Sequence, residues 1–228
     1  METFFAVAAP GLEALTANEL VCLKLLPEGS RQSAVEEGGV TFKGNLWELY
    51  QANLHLRTAS RILVRLGDFF AAGFAELRKK ASRLPWEKYI ITKQRVSLAV
   101  TCRKSRLYHS GGVAERVFAA IQDRLGGSIE MVKTKEEAGG DEKTAQLIVV
   151  RLLNDHVSIS IDSSGELLHR RGYRLATAKA PLRETLAAAM LIASGWDSGA
   201  PLIDPFCGSG TIAIEAALIA AGRPPGCA

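Results

Sequence analysis

The sequence predicts an α+β protein in two successive units, followed by the opening of an α/β unit of different character. Three observations predict it. Strand-period and helix-period segments alternate through the first two-thirds of the chain. A block of basic residues interrupts an otherwise balanced charge pattern. Near the C-terminal end a glycine-rich loop stands between a short apolar run and an apolar helix. With 228 residues, 47% hydrophobic and 23% charged, the composition is that of a globular protein and excludes a disordered or collagen-like chain.

Residues 4–8 form an apolar strand and residues 11–25 a helix, with a short strand at 40–42. Asn45 and Glu48 stand at capping-box spacing and open a helix that runs to Leu54. Residues 62–66 complete a strand–helix–strand–helix–strand order, which suits a small ferredoxin-like α+β unit. A second unit follows. Val96, Leu98, Val100 and Cys102 alternate with Ser97, Ala99 and Thr101, the pattern of a half-buried strand. Val113, Val117, Ala120, Ile121 and Leu125 then recur at helical spacing, and Gly126 is placed to stop that helix. A charged loop at 133–143 leads to strands at 147–153 and 157–161, joined by Asn154-Asp155 at hairpin spacing. Beyond Ser163 lies a basic hinge, His169-Arg170-Arg171-Gly172-Tyr173-Arg174. A helix starts at Pro181 with Leu182, Leu186, Ala189 and Ala193 on one face. Leu202-Ile203-Asp204 has the pattern of a short buried strand, and residues 208–221 that of a loop and then a helix.

The net charge of +4 conceals an asymmetry, for residues 55–110 carry thirteen Lys and Arg against three Asp and Glu. Such a block is an electrostatic footprint for a polyanion or, equally, a solvated face. The sequence contains no run of about 18 apolar residues, the length a membrane-spanning helix needs. Met1-Glu2-Thr3-Phe4-Phe5 lacks the basic start of a secretory signal. Cys22, Cys102, Cys207 and Cys227 are scattered, as free thiols in a cytoplasmic protein would be. The four histidines do not cluster with carboxylates, so no metal is expected.

The chemistry concentrates in Asp204-Pro205-Phe206-Cys207-Gly208-Ser209-Gly210-Thr211. Glycines ahead of a helix N-terminus let a ligand approach the main chain, where unpaired N–H groups wait. The spacing Gly208-x-Gly210-x-x-Ala213 also satisfies a loose dinucleotide fingerprint, and a merely structural turn gives the same pattern. Electrostatics separates the two ligands. Asp204 beside the loop repels a pyrophosphate but attracts the aminium and sulfonium of S-adenosylmethionine.

Asp-Pro-Phe-Cys-Gly-Ser-Gly resembles the first motif of class I methyltransferases that act on exocyclic amino groups of nucleobases. The stretch 168–174, with Ala180-Pro181-Leu182-Arg183-Glu184-Thr185-Leu186, looks like the link between a THUMP RNA-binding module and such a domain. With Phe4-Phe5-Ala6, Gly11-Leu12-Glu13 and Gly38-Gly39-Val40-Thr41-Phe42, nearly the whole chain is similar to the N-terminal part of bacterial 23S ribosomal RNA guanine-N2 methyltransferases. The resemblance implies a ferredoxin-like region at 1–42 and a THUMP domain at 43–162. A linker and the incomplete start of a Rossmann-like methyltransferase domain would follow at 163–228. It further implies that Asp204, Phe206, Cys207, Gly208, Ser209 and Gly210 line an S-adenosylmethionine pocket, with Glu184 and Thr185 as secondary candidates for its amino-acid end. Structured RNA, 23S ribosomal RNA first, would be held by Arg103, Lys104, Arg106, Arg170, Arg171 and Arg174.

The same resemblance implies a methyl-transfer loop of Asx-Pro-Pro-aromatic type, which orients a weakly nucleophilic amine and stacks on its base. The chain has no such loop; Arg223-Pro224-Pro225-Gly226 lacks both the Asx and the aromatic. The expectation is therefore a methyltransferase fragment without transfer activity of its own. The alternative is a stand-alone THUMP-type RNA-binding module without catalysis. The apolar helix at 211–221, whose only charge is Glu215, calls for burial that one strand and two helices do not supply. The region after Pro181 is thus expected to be loosely packed or to expose apolar surface.

Overall fold

The computed structural model describes residues 1–91, 93–126, 129–132, 145–173 and 181–227. These residues divide into two compact units, one made of Met1–Leu63 with Glu166–Ala228 and the other of Val64–Gly165. The first is discontinuous in sequence and the second is one continuous stretch.

In the first unit, β1 (Glu2–Ala8) pairs antiparallel with β3 (Gly39–Gly44), placing Phe4 opposite Phe42. The two rings lie 5.3 Å apart at a tilt, and both are buried with Ala6 and Val40. The short β2 (Val35–Glu36) edges β3, and the beginning of β4 (Ala59–Phe70) lies beside β1. Helix α1 (Glu13–Cys22) covers this core with Thr16, Ala17 and Leu20. A four-residue turn of helix, α2 (Arg31–Ala34), precedes β2. Helix α3 (Leu46–His55) begins as its sequence dictates: Asn45 accepts from the Trp47 N–H while Glu48 reaches back to the Asn45 N–H at 2.7 Å. The strand, helix, strand, helix, strand order holds through this part, with every element at or near its expected place.

The same unit takes in two later helices, α6 (Glu184–Ser194) and α7 (Thr211–Ala220), which pack on each other. Here two expectations fail. Pro181 does not open α6; the helix starts at Glu184 behind Arg183, so its inward residues are Glu184, Thr185, Ala187, Ala188, Ala189 and Leu191, and Ala193 is exposed. Leu202-Ile203-Asp204 is no strand, and Ile203 is 85% exposed. An apolar triplet becomes a parallel strand only beside a strand that shares its hydrogen bonds, and among the described residues none flanks it. Helix α7, whose orientation the sequence reading leaves open, turns its single charge inward, with Glu215 fully buried and Ala213 and Ala217 exposed.

In the second unit the strand order is β4, β8 (His156–Asp162), β7 (Gln146–Leu153), β5 (Arg95–Arg103), β6 (Glu130–Met131). β7 and β8 form the expected antiparallel hairpin, and β5 runs parallel to β7 and β6. Asn154 and Asp155 both adopt positive φ, 52° and 63°, the geometry of a two-residue hairpin turn that side chains of this kind tolerate. Helix α5 (Ser110–Leu125) buries Val113, Val117, Ala120 and Ile121 and ends at left-handed Gly126. Helix α4 (Phe74–Ala81), which the sequence reading does not contain, packs on α5 through Leu77 and Ala81. Trp86 is fully buried between these layers and keeps its indole N–H satisfied on the Ala81 carbonyl at 2.8 Å. The expected loop at 133–143 lies outside the described residues.

Exposed ion pairs tie Arg78, Lys80, Arg95 and Arg106 of the basic block, and Arg124 beyond it, to nearby carboxylates. Arg124 grips Glu87 through two hydrogen bonds and holds its carboxyl down at about 2. A carboxylate depressed in the folded state contributes stability above its ordinary value of 4.5 and loses it as pH falls toward about 2. In NMR titration Glu87 is therefore expected to show a midpoint near 2, and Arg124→Gln to return it toward 4.5. An unmoved midpoint would mean that the pair is not populated in solution.

Candidate functional site

The six residues proposed for the cofactor form one exposed turn at the start of α7. Asp204 Oδ1 accepts from the Phe206 N–H at 3.1 Å, closing an Asx-type turn. The Gly210 N–H bonds the Cys207 carbonyl at 2.7 Å. Gly208 and Gly210 take φ of 52° and 73°, a left-handed backbone that a Cβ makes costly. Space is not what reserves these positions for glycine, because a Cβ on either would meet nothing closer than 3.9 Å. Gly210 is also the N-cap of α7, so no side chain caps the helix there. Phe206 is 92% exposed, and Cys207, Gly208 and Ser209 are exposed beside it. Ser209 and Thr211 hydroxyls share a hydrogen bond at 3.1 Å across the helix start.

One turn into α7, Glu215 anchors a buried charge cluster that the sequence reading missed. Arg171 pairs with Glu215, their side chains 1% and 0% exposed. The Tyr173 hydroxyl donates to the other carboxylate oxygen at 2.9 Å. Arg171 Nη2 also donates to the Arg57 carbonyl at 2.7 Å, and Arg57 Nη2 to the Arg223 carbonyl at 2.6 Å. Arg57 and Thr58 in turn give their backbone N–H groups to Glu19 of α1, at 2.9 and 3.0 Å, and Thr58 gives its hydroxyl as well. Burial pushes the Glu215 carboxyl up, while the Arg171 guanidinium and the Tyr173 hydrogen bond pull it back. Burial likewise raises Glu19 against its own hydrogen bonds and lowers Arg57. Tyr173 is pushed up by burial and by the adjacent Glu215 charge. The cluster fixes the start of α7 to the hinge and to α1. One signal was legible: a lone Glu in an apolar helix needs a buried cation, and the basic hinge supplies one.

Arg171, expected to face RNA, is therefore corrected to this inward role; a guanidinium 1% exposed and committed to Glu215 offers nothing to a solvent-borne polyanion. Arg170 is exposed and pairs loosely with Glu166 at 3.2 Å. Arg174 lies outside the described residues. Arg103, Lys104 and Arg106 are exposed together at the end of β5, with Arg106 held by its backbone N–H to Asp155 at 2.7 Å. They belong to the second unit and Arg170 and Arg171 to the first. Glu184 and Thr185, the secondary cofactor candidates, are buried in the first turn of α6. Among the described residues, no group of three or more His, Cys, Asp or Glu could hold a metal, and no helix is long and apolar enough to cross a membrane.

Against known proteins, two family models match. That of the RlmL ferredoxin-like domain matches residues 3–63, and that of the RMKL-like methyltransferase domain matches residues 171–228. The chain is 38% identical to YpsC of Bacillus subtilis (strain 168), a candidate RNA methyltransferase, over 98% of this chain and 56% of that protein. It is 36% identical to the ribosomal RNA large subunit methyltransferase K/L of Syntrophotalea carbinolica, over 98% of this chain and 31% of that one. Among solved structures, a Listeria monocytogenes protein described as a predicted N6-adenine-specific DNA methylase superposes with a TM-score of 0.84 at 38% identity, over 99% of this chain and 57% of that one. SMU.472, a candidate methyltransferase complexed with SAH, gives 0.80 at 33% identity, over 99% and 57%. The chain thus spans between 31% and 56% of the length of these two relatives.

Proposed function

We propose that this chain is the front part of an S-adenosylmethionine-dependent RNA methyltransferase, cytoplasmic, with the guanine N2 amine of 23S ribosomal RNA as acceptor. In this reading residues 43–162 act as a THUMP module that grips the RNA, and the 228 residues alone transfer no methyl group. The observation that carries it is the exposed turn 204–210, with two left-handed glycines, an adjoining carboxylate and an uncapped helix start. Family resemblance at 171–228 and the SAH-bound relative support it.

The residues suit the cofactor. Gly208 and Gly210 leave the main chain uncovered for close approach. Asp204 supplies negative charge for a cationic ligand, and Phe206 an open ring face for a planar one. When bound, S-adenosylmethionine supplies an electrophilic methyl group on a sulfonium. The chain's own residues bind and orient it, and Arg171 with Glu215 is a positioning pair that keeps the start of α7 where the turn needs it.

Equilibrium dialysis of the chain with labelled S-adenosylmethionine is expected to show saturable uptake. Asp204→Asn is expected to weaken it about tenfold, the worth of one charge-assisted contact. Preferential uptake of a nicotinamide dinucleotide would overturn the cofactor assignment. No uptake alongside salt-sensitive RNA binding would leave a binding module without catalysis. The description of the Listeria relative favours a second acceptor, the adenine N6 amine of DNA. Nucleoside digestion after labelled transfer by a protein of the relatives' full length separates the two, because N2-methylguanosine and N6-methyldeoxyadenosine elute apart.

A further inference from the structure

A groove of about 550 Å³ runs between α4 and α5 in the second unit, lined by Phe74, Arg78, Lys79, Ser82, Arg116 and Asp123. Three cations thus face one carboxylate, and that carboxylate is spoken for. Arg78 holds Asp123 with two hydrogen bonds of 2.7 Å, which keep its carboxyl low and ionised. Arg116 extends over the Phe74 ring, 5.8 Å from its centroid, so its guanidinium is propped along the groove wall rather than swinging free. Lys79 is exposed, with no ion pair to any described residue.

The cations stand apart. Arg116 and Asp123 lie two turns from each other on α5, roughly 10 Å at 1.5 Å per residue, and Arg78 sits at the Asp123 end. One phosphate reaches one end; a chain of phosphates reaches both. Beyond Arg116 come the first turn of α5 and then the loop that precedes it in sequence. The first turn of α5 lies against Phe74, since a Cβ on Gly112 would stand 3.2 Å from its ring edge. That loop exposes Lys104, Arg106 and, at 83%, Tyr108, with Arg103 exposed at the end of β5 beside them. Cations set on two walls with an open aromatic at one end are what a sugar–phosphate backbone with an unpaired base requires.

We propose that the α4–α5 groove is a tract for the RNA backbone, contacting phosphates through Lys79 and Arg116 and leading them to Tyr108. This rests on the reading of the protein as acting on RNA, and deepens it by naming a surface that the sequence motifs did not.

The test uses the 228-residue chain and a fluorescent RNA hairpin with a single-stranded flank, with affinity measured across a range of potassium chloride. Lys79→Glu with Arg116→Glu is expected to weaken binding at least tenfold and to lower the slope of log K against log salt by about 1–2. The neutral pair Lys79→Gln, Arg116→Gln should lower the slope similarly, which separates lost contacts from new repulsion. Lys24→Glu with Arg31→Glu changes total charge equally on exposed positions of the first unit, outside residues 43–162, and is expected to leave the slope alone. Circular dichroism confirms that each variant is folded. If the unsubstituted chain binds no RNA, the RNA reading itself fails. If it binds with a steep slope and the groove variants match it, only the groove assignment fails. Equal affinity for polyglutamate, lost in the same variants, would reassign the groove to an acidic protein partner.

Discussion

Arg171→Met is expected to lower the opening free energy of the α7 amides by about 3–5 kcal/mol in native-state hydrogen exchange, the cost of leaving one member of a buried ion pair without the other. The pair is fully enclosed, so water cannot replace the lost guanidinium, and among the described residues Glu215 keeps the Tyr173 hydroxyl and the more distant Arg57 charge. Arg171→Lys retains the charge but not the fork that reaches both Glu215 and the Arg57 carbonyl, and should fall between. Adding Glu215→Gln to Arg171→Met is expected to recover a large part of the loss, because a neutral amide costs less to bury and still accepts from Tyr173. The pH dependence has a definite sign. Burial already raises the Glu215 carboxyl above its ordinary 4.5, and losing Arg171 raises it further. A carboxyl raised in the folded state is destabilising above that raised value and less so as it takes up a proton. The deficit of Arg171→Met should therefore shrink as pH is lowered toward 4.5. A loss under about 1 kcal/mol, the level of an exposed pair, would show that the cluster opens to solvent.

Gly210→Val is expected to reduce S-adenosylmethionine uptake at least tenfold. At φ 73° valine carries the left-handed penalty of about 1–2 kcal/mol and a branched side chain that the region accommodates poorly. Relief requires the backbone to swing out of the turn that orients the Gly210 N–H on Cys207 and opens α7. Asparagine tolerates this conformation and alanine does so with difficulty, so affinity should fall in the order Gly, Asn, Ala, Val. Hydrogen exchange at Val113 and Val117, in the other unit, should be unchanged throughout. Equal uptake by all four would mean that the left-handed backbone serves the turn alone.

What could be read from the sequence was whatever local chemistry decides. Asn45 and Glu48 cap α3 within four residues, and Asn154-Asp155 turns the β7–β8 hairpin without help from elsewhere. Gly208 and Gly210 announce left-handed backbone by composition alone. What escaped depends on distant partners. Helix α4 was hidden because Arg78, Lys79 and Lys80 dominate its eight residues, and only packing on α5 reveals Leu77 and Ala81 as an inner face. Leu202-Ile203-Asp204 was over-read because an apolar run states a preference for burial and cannot supply the neighbouring strand. Arg171 was taken for a surface cation since its partner, Glu215, comes 44 positions later. The one charge in the most apolar helix proved to be its most enclosed side chain.

The unit built from Met1–Leu63 and Glu166–Ala228 has a bearing on biosynthesis. Its Arg57 must meet the carbonyl of Arg223, a residue translated some ten to thirty seconds later at about 5–20 residues per second. During that interval the nascent N-terminal segment lacks α6 and α7, while the stretch Val64–Gly165 is completed before either of them is made. The ribosome thus delivers all of Val64–Gly165 before the stretch that completes the other unit. A chaperone acting on this polypeptide would find its work in holding the first 63 residues until α6 and α7 are available to complete their unit.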